Sequence, residues 1–358
     1  MNALREALID LGAIRHNVLE LSARVAPAAL MVVIKADAYG HGAPVIAQTA
    51  VDAGTRFLGT LDIATALALR AAGIGPDVDI LTWQYGPFED FHAAIEAGVT
   101  LGVSRQSELD RIEAAASGEV ASIHLKIDTG LNRNGATAVD WPALVVRALA
   151  LQEAGIARVV GVFTHIAEAS DEEDDLAVAR FRAAITEAEG LGARFAVRHL
   201  AASSAGFRRD DVRFDMVRMG GHVWGIPSFD GITPAEMNLR PALTLSAAIT
   251  AVEPLGADGG YLVEVPLGFA DGIPRGVRSL VEVAVGGIRY PLVDEIGHSS
   301  FTLRVDAPVA VGDRAVLFGP GDSGEQTVRE WGDLSGTLGD EIVARLGERI
   351  ERRYLPAE

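Results

Sequence analysis

Short apolar runs alternate with longer helix-like segments from about residue 30 to residue 225, and this rhythm limits the possible fold more than any other feature. The apolar runs indicate buried strands, and the segments between them, such as Ile63–Ala72 and Trp141–Ala154, are long enough for crossover helices. The eight candidate strands are 31–35, 57–61, 78–83, 99–103, 123–128, 159–165, 195–201 and 214–219. An open doubly wound sheet has fewer strands and a glycine-rich phosphate fingerprint after the first. We therefore predict a (β/α)8 barrel over residues 9–230, although no clear helix follows the eighth strand.

From about Gly231 the pattern changes to Val- and Ile-rich runs separated by Gly, Asp and Pro turns. This pattern is typical of an antiparallel β domain. The predicted strands are Leu243–Val252, Tyr261–Pro266, Ser279–Val285, Phe301–Val305 and Arg314–Phe318, followed by a helix over Leu338–Leu346. We predict a mostly-β second domain over residues 231–358, together with residues 1–8.

The balance of charge excludes several classes of partner. The chain has 31 Lys and Arg residues against 49 Asp and Glu residues, so a phosphate backbone or an anionic membrane would repel it. It contains no cysteine and therefore has no disulfide and no thiolate metal site. No apolar run resembles a signal peptide or a membrane span. We expect a cytoplasmic protein without a bound metal.

The segment from Met31 to Ala43 carries the first candidate for chemistry. Four apolar residues lead directly into Lys35, which is followed by a Gly-rich turn. An ammonium at the end of a buried strand loses hydration, so its pKa falls and its neutral amine becomes a usable nucleophile or base. The structural alternative is that the Lys35 side chain simply extends past the strand end into solvent.

In a barrel, chemistry takes place at the carboxyl ends of the strands. The predicted strands deliver there Lys35, Lys126, Arg133, His165, Ser203 and Arg218, and the pair Gly220 and Gly221 follows. Hydroxyl and backbone N–H groups after strands seven and eight are suited to hold a phosphate. A lysine that can form an imine opposite a phosphate site implies pyridoxal phosphate. Taken singly, each of these residues also has a plain structural role, so the prediction depends on their combination.

The motifs themselves resemble those of the alanine racemase family, in the family order and over nearly the whole chain. The matching segments are Lys35–Gly42, Lys126–Gly135, Thr164–Ala167, His199–Ser203, Phe214–Arg218, Leu239–Ala242 and Gly268–Gly272. The resemblance implies a pyridoxal phosphate barrel followed by a β domain.

The resemblance also implies how the cofactor is held. Lys35 would form the imine with pyridoxal phosphate and act as the base on one face of the substrate. Tyr39, Ser203 and the backbone of Gly220 and Gly221 would hold the phosphate.

The resemblance also implies roles for four further residues. His165 would stack against the pyridine ring, and Arg218 would donate a hydrogen bond to the pyridine nitrogen. Because an arginine keeps its proton, the ring would then be a weaker electron sink. Arg133 would face the substrate carboxylate, and Lys126 matches a lysine that can be carbamylated.

One family feature is missing from this sequence. Family members carry a second acid/base, a tyrosine supplied by the β domain of the partner subunit. The corresponding connection here, residues 253–261, is too short to hold the loop that bears it. Tyr261 aligns better with the start of the following strand than with the catalytic position.

A second departure lies in residues 292–300, where His298 and Ser299 replace a Met-Asp pair that lines the neighbouring subunit's substrate site. Histidine is well suited to proton transfer near neutral pH. His298, acting in the partner's site beside Ser299, is therefore either the second acid/base or a residue that directs a different reaction. The remaining alternative is a surface histidine in a β turn.

The leading prediction is a pyridoxal phosphate-dependent racemase-like enzyme that acts at Cα of an amino acid, as a homodimer with shared active sites. A relative with one base, such as a decarboxylase, an aldolase-type lyase or an aminotransferase, is an alternative. A protein that binds pyridoxal phosphate without catalysis is another.

Overall fold

The computed structural model describes residues 3–168, 170–256 and 259–357. Within them the chain divides into two compact units. The first unit consists of residues 18–35 and 50–220, and the second of residues 1–17, 36–49 and 221–358. The predicted domain boundary at residues 230 and 231 stays a prediction. No helix in the described ranges is both long enough and apolar enough to cross a membrane.

The first unit contains a closed barrel of eight parallel strands. These strands are β2 (Ala29–Val33), β3 (Phe57–Thr60), β4 (Asp79–Thr82), β5 (Thr100–Val103), β6 (Ala121–Lys126), β7 (Ala157–Phe163), β8 (Val197–His199) and β9 (Met216–Met219). Each overlaps one of the predicted strands, and the predicted fold class is confirmed.

The barrel closes where β9 pairs with β2, from Ala29 opposite Met216 to Val32 opposite Met219. Every residue of β9 is buried, as expected for a parallel strand covered on both faces. The barrel is closed although no α-helix follows β9 directly. A short 3-10 turn, Gly221–Trp224, follows it instead.

The right-handed α-helices described in the first three-fifths of the chain are Leu11–Val25, Ala43–Asp52, Ile63–Ala71, Phe91–Glu96, Gln106–Ala114, Trp141–Glu153, Asp171–Gly190 and Ser203–Arg208. Several begin at a side chain that caps the first turn, as Asp62, Asp90 and Ser170 do by accepting from backbone N–H groups. These caps fix where each strand end passes into its helix.

The second unit contains two sheets. The six-stranded sheet has the order β14 (Ile288–Pro291), β13 (Glu282–Val285), β16 (Arg314–Phe318), β10 (Leu243–Ala248), β1 (Arg5–Asp10) and β17 (Glu351–Leu355). The three-stranded sheet consists of β11 (Ala251–Pro254), β12 (Tyr261–Val265) and β15 (Phe301–Val305). Two helices, Val328–Ser335 and Gly339–Ala344, precede β17.

Two predicted strand boundaries in this unit are wrong. The run predicted as one strand over Leu243–Val252 is divided between the two sheets, because Ile249 donates to Asp313 whereas Thr250 donates to Glu264. The strand predicted from Ser279 begins only at Glu282, after a 3-10 segment over Arg275–Leu280.

Candidate active site

Lys35 lies at the carboxyl end of β2 and is half-buried. The four residues after it, Ala36 to Tyr39, all adopt left-handed backbone angles, with φ between 51° and 55°. Left-handed backbone costs a non-glycine residue roughly 1–2 kcal/mol, so surrounding contacts must hold this turn. The sequence predicts a turn here but gives no sign of its hand, because Ala, Asp and Tyr all favour right-handed angles.

Tyr39, the last of these four residues, is buried, with 7% of its surface exposed. Burial, reinforced by the charge of Asp340, raises the pKa of the Tyr39 phenol well above its usual range. The phenol therefore keeps its proton at neutral pH and can donate a hydrogen bond to an anion.

Arg218, on β9, places a positive charge in the buried part of the barrel. It is 5% exposed and donates only to neutral acceptors, which are His199 Nδ1 at 2.9 Å, Thr164 O at 2.8 Å, His165 Nδ1 at 3.1 Å and Leu200 O at 3.1 Å. Burial, and then the charge of another arginine, lower its pKa to about 9. Within the described ranges no carboxylate pairs with it, and its Nε–H makes no hydrogen bond. This edge of the guanidinium remains available to a ligand acceptor.

The donors of Arg218 fix the protonation of the neighbouring histidines. An arginine only donates, so Nδ1 of His165 and Nδ1 of His199 must both accept and both rings carry hydrogen on Nε2. The Nε2–H of His199 then donates to Nδ1 of His124 at 2.9 Å. Burial, and then the charge of Arg218, lower the pKa of His165 to about 2 and that of His199 well below its usual range. A chain of neutral imidazoles therefore orients the guanidinium.

Lys126 ends β6 and is 3% exposed. Its Nζ donates to Asn134 Oδ1 and lies 5.4 Å from the centre of the Phe163 ring. Burial, followed by the charges of Arg218 and Arg133, lowers the pKa of Lys126 to about 7. A substantial part of the Lys126 amine is therefore neutral near pH 7.

The structure brings together two of the predicted phosphate-site residues. Gly220 follows β9 and donates its backbone N–H to Ser203 Oγ at 3.3 Å. Ser203 follows β8 and begins the helix Ser203–Arg208. Gly221 begins the 3-10 turn and belongs to the second unit.

The remaining predicted site residues are exposed or lie in the second unit. Arg133 is exposed in the segment after Lys126. His298 is exposed in a turn whose backbone is held against residues 268–270, because Phe269 donates to Gly297 and Ala270 donates to His298. The His298 ring meets the Phe269 ring edge to face, with the centroids 5.1 Å apart. Ser299 follows it and is half-buried.

Sequence reasoning missed His124 and His199 as parts of the site, and it missed Asn134 as the partner of Lys126. One signal was available for His124, because it lies two residues before Lys126 and strand side chains alternate faces. The described ranges contain no group of three or more His, Asp and Glu side chains that could hold a metal ion.

Comparison with known proteins identifies the family. The models "Alanine racemase, N-terminal domain" and "Alanine racemase, C-terminal domain" match residues 9–227 and 258–354. The chain is 44% identical to an alanine racemase of Frankia casuarinae, covering 99% of this chain and 97% of the relative. It is 39% identical to one of Thermobifida fusca, covering the whole of both. Its structure matches that of alanine racemase from Streptomyces lavendulae with a TM-score of 0.94, at 38% identity over 99% of this chain and 98% of that one. The chain therefore belongs to the alanine racemase family.

Proposed function

We propose that the protein is a pyridoxal phosphate-dependent isomerase that removes and returns the Cα proton of an amino acid, with alanine as the first substrate to test. The observation that carries this proposal is Arg218, a buried guanidinium oriented by neutral acceptors, in a barrel where Lys35 follows the carboxyl end of β2. The relatives named above are all alanine racemases, and the one-base and non-catalytic alternatives are not favoured.

The residues present fit the cofactor. Pyridoxal phosphate, when bound, withdraws electrons from Cα and makes the Cα proton acidic. Lys35 supplies the amine that would hold it, and Arg218 offers an unused N–H to the pyridine nitrogen while keeping its own proton. Neutral His165 would cover the ring. Tyr39, Ser203 and the backbone N–H groups of Gly220 and Gly221 would hold the phosphate.

Lys35 would be the base on one face of Cα, and His298 of the partner subunit would be the acid/base on the other. In support, β11 and β12 form a hairpin in which Pro254 pairs with Tyr261 and Leu255 donates to Gly260. The residues between, of which 257 and 258 lie outside the described ranges, include no tyrosine. The alignment with the Thermobifida fusca relative spans 376 positions for a chain of 358 residues, so at least 18 positions have no residue here.

The substrate carboxylate would bind Arg133, and Ser299 would contact the substrate from the partner subunit. This arrangement needs a homodimer with shared sites, which the exposure of His298 on the single chain supports. Lys126, whose amine is partly neutral at pH 7, would be carbamylated. A cytoplasmic location stays a prediction from the sequence.

Proton NMR of the cofactor-loaded protein in D2O tests the function, with L-alanine and D-alanine supplied separately. We expect exchange of the Cα proton with inversion from either enantiomer. Exchange that retains configuration and is confined to one enantiomer would contradict a racemase and leave Lys35 as a lone base. If alanine shows no exchange, the same measurement on a wider panel of amino acids distinguishes an enzyme with another substrate from an inactive protein.

A further inference from the structure

His41 lies six residues after Lys35 and has no role in the mechanism above. It is fully buried, and its Nδ1 lies 2.9 Å from the carbonyl oxygen of Ala38 and 3.0 Å from that of Tyr39. Carbonyl oxygens only accept, so Nδ1 carries the hydrogen and donates to both. Burial lowers the pKa of His41 to about 4, so the ring is neutral and Nε2 holds a lone pair.

These two carbonyl groups belong to the left-handed turn. Four consecutive residues there, from Ala36 to Tyr39, have positive φ, which is unfavourable for a non-glycine residue. Ala43 donates its backbone N–H to Asp37 Oδ1 at 2.7 Å. Backbone bonds run from His41 to Ala38 and from Gly42 to Asp37. The imidazole of His41 adds a side-chain donor to the carbonyl groups of Ala38 and Tyr39, the last two of these four residues.

Trp224 connects His41 to the ring of Tyr39. The Trp224 ring is fully buried, stacks on His41 with the centroids 5.3 Å apart, and contacts the Tyr39 ring at 5.7 Å. Trp224 Nε1–H and His41 Nε2 have no hydrogen-bond partner within the described ranges.

We propose that His41 is a positioning residue for the cofactor phosphate: its Nδ1–H holds the left-handed turn and thereby fixes the phenol of Tyr39. Trp224 supports the same ring from the side. The inference deepens the proposed function and rests on it, because it requires that pyridoxal phosphate binds and that Tyr39 contacts its phosphate.

Two amide variants test the donor without making the site apolar. In His41→Asn the side-chain NH2 can occupy the position of Nδ1, whereas in His41→Gln it reaches the position of Nε2. Dissociation constants are measured for pyridoxal phosphate and for pyridoxal, which lacks the phosphate, from the absorbance of the bound cofactor. Thermal unfolding without cofactor verifies that each variant folds.

We expect His41→Asn to bind pyridoxal phosphate within threefold of the native protein and His41→Gln to bind it at least tenfold more weakly. Binding of pyridoxal should change little in either, because only the phosphate contact is lost. Equal affinity of the two variants for pyridoxal phosphate, or an equal loss for both ligands, would overturn the role of His41. Failure of the native protein to bind pyridoxal phosphate would instead overturn the proposed function.

Discussion

The amine of Lys126 lies in an environment that favours its neutral form, since it is buried and the charges of Arg218 and Arg133 act on it. Its pKa of about 7 means that the neutral amine, which reacts with carbon dioxide, becomes the main form as pH rises above 7. We predict a carbamate on Lys126 that 13C NMR detects after addition of 13C-bicarbonate, strong at pH 8 and weak at pH 6. Lys126→Arg should lack the signal, and absence of a signal from the native protein at pH 8 would refute the assignment.

The imidazole of His298 is the candidate for the second acid/base. Removing a general acid or base typically costs 10²–10⁴-fold in rate, so His298→Gln should lower alanine racemisation by about that factor while the absorbance of the bound cofactor is unchanged. His92→Gln, at an exposed helical histidine in the barrel unit, is the matched control. Racemisation within threefold of the native rate in His298→Gln would exclude the role.

Some residues of the candidate site can be predicted from the local sequence pattern, and others cannot. Lys35 and Lys126 are predictable because Lys35 directly follows an apolar run and Lys126 ends the mostly buried strand β6. The bond between His124 and His199 is not, because these residues lie on β6 and β8 with β7 between them. Only the registers of three strands bring the two rings together.

Strand β7 contains a local adjustment that makes room for His124. Its register against β6 shifts so that Ile123 pairs with Val159 and His124 pairs with Gly161, which leaves Val160 unpaired as in a β-bulge. A Cβ on Gly161 would lie 2.6–2.7 Å from atoms of the His124 ring. The bulge and the glycine together allow a histidine, rather than a small residue, to occupy this point of the barrel.

Gly161→Ala should therefore displace His124 and destabilise the protein. Overpacking of this kind typically costs about 1–3 kcal/mol, which urea unfolding followed by circular dichroism can measure. Gly190→Ala is the control, since no atom lies within 4 Å of the added Cβ at the end of its helix. An equal effect of the two substitutions would show that the packing against His124 does not limit stability.

At the level of elements, the sequence predicts the buried strands far better than the exposed ones. The sequence predicts all eight barrel strands, most of them from apolar runs, although β8 itself consists of Val, Arg and His. The edge strand β17, Glu351–Leu355, was not, because three of its five residues are charged and its pairing with β1 uses backbone groups. β14, Ile288–Pro291, is short and mostly exposed, so it carries little apolar pattern.

Five histidines that are neutral in the folded protein, His41, His124, His165, His199 and His222, give the whole molecule a pH-dependent stability. Burial lowers the pKa of His41, His124 and His222 to about 4 each, and burial with the charge of Arg218 lowers the pKa of His165 and His199 as well. In the unfolded chain all five titrate near 6.5. Between these values the unfolded chain binds protons that the folded protein does not, so the free energy of unfolding falls as pH falls. The slope approaches about 1.4 kcal/mol per pH unit for each histidine.

Urea unfolding at pH 7.5, 6.0 and 5.0 measures this loss, and we expect the midpoint to decrease at each step. His41→Asn, whose side chain does not titrate, should decrease less steeply. A midpoint that is constant from pH 7.5 to 5.0 would contradict the buried neutral histidines.

The proposed shared site makes a prediction about the assembled dimer. Lys35→Ala and His298→Ala should each be inactive, but a mixed dimer of the two has one site with both residues intact. After unfolding and refolding of an equal mixture, we expect about one quarter of the native racemase activity, because about half of the dimers are mixed and each has one active site of two. No recovery in a mixture that gel filtration shows to be dimeric would exclude a shared site.

Strand β1 lies inside the six-stranded sheet, antiparallel to β10 and parallel to β17. During synthesis, β1 leaves the ribosome long before either neighbour exists. At roughly 5–20 residues per second, β10 follows roughly 10–50 s later. Until then Ala7 and Ile9, which are fully buried in the folded protein, lack both neighbouring strands of their sheet. The second unit therefore completes its sheet only late in translation, when the barrel strands have already been made.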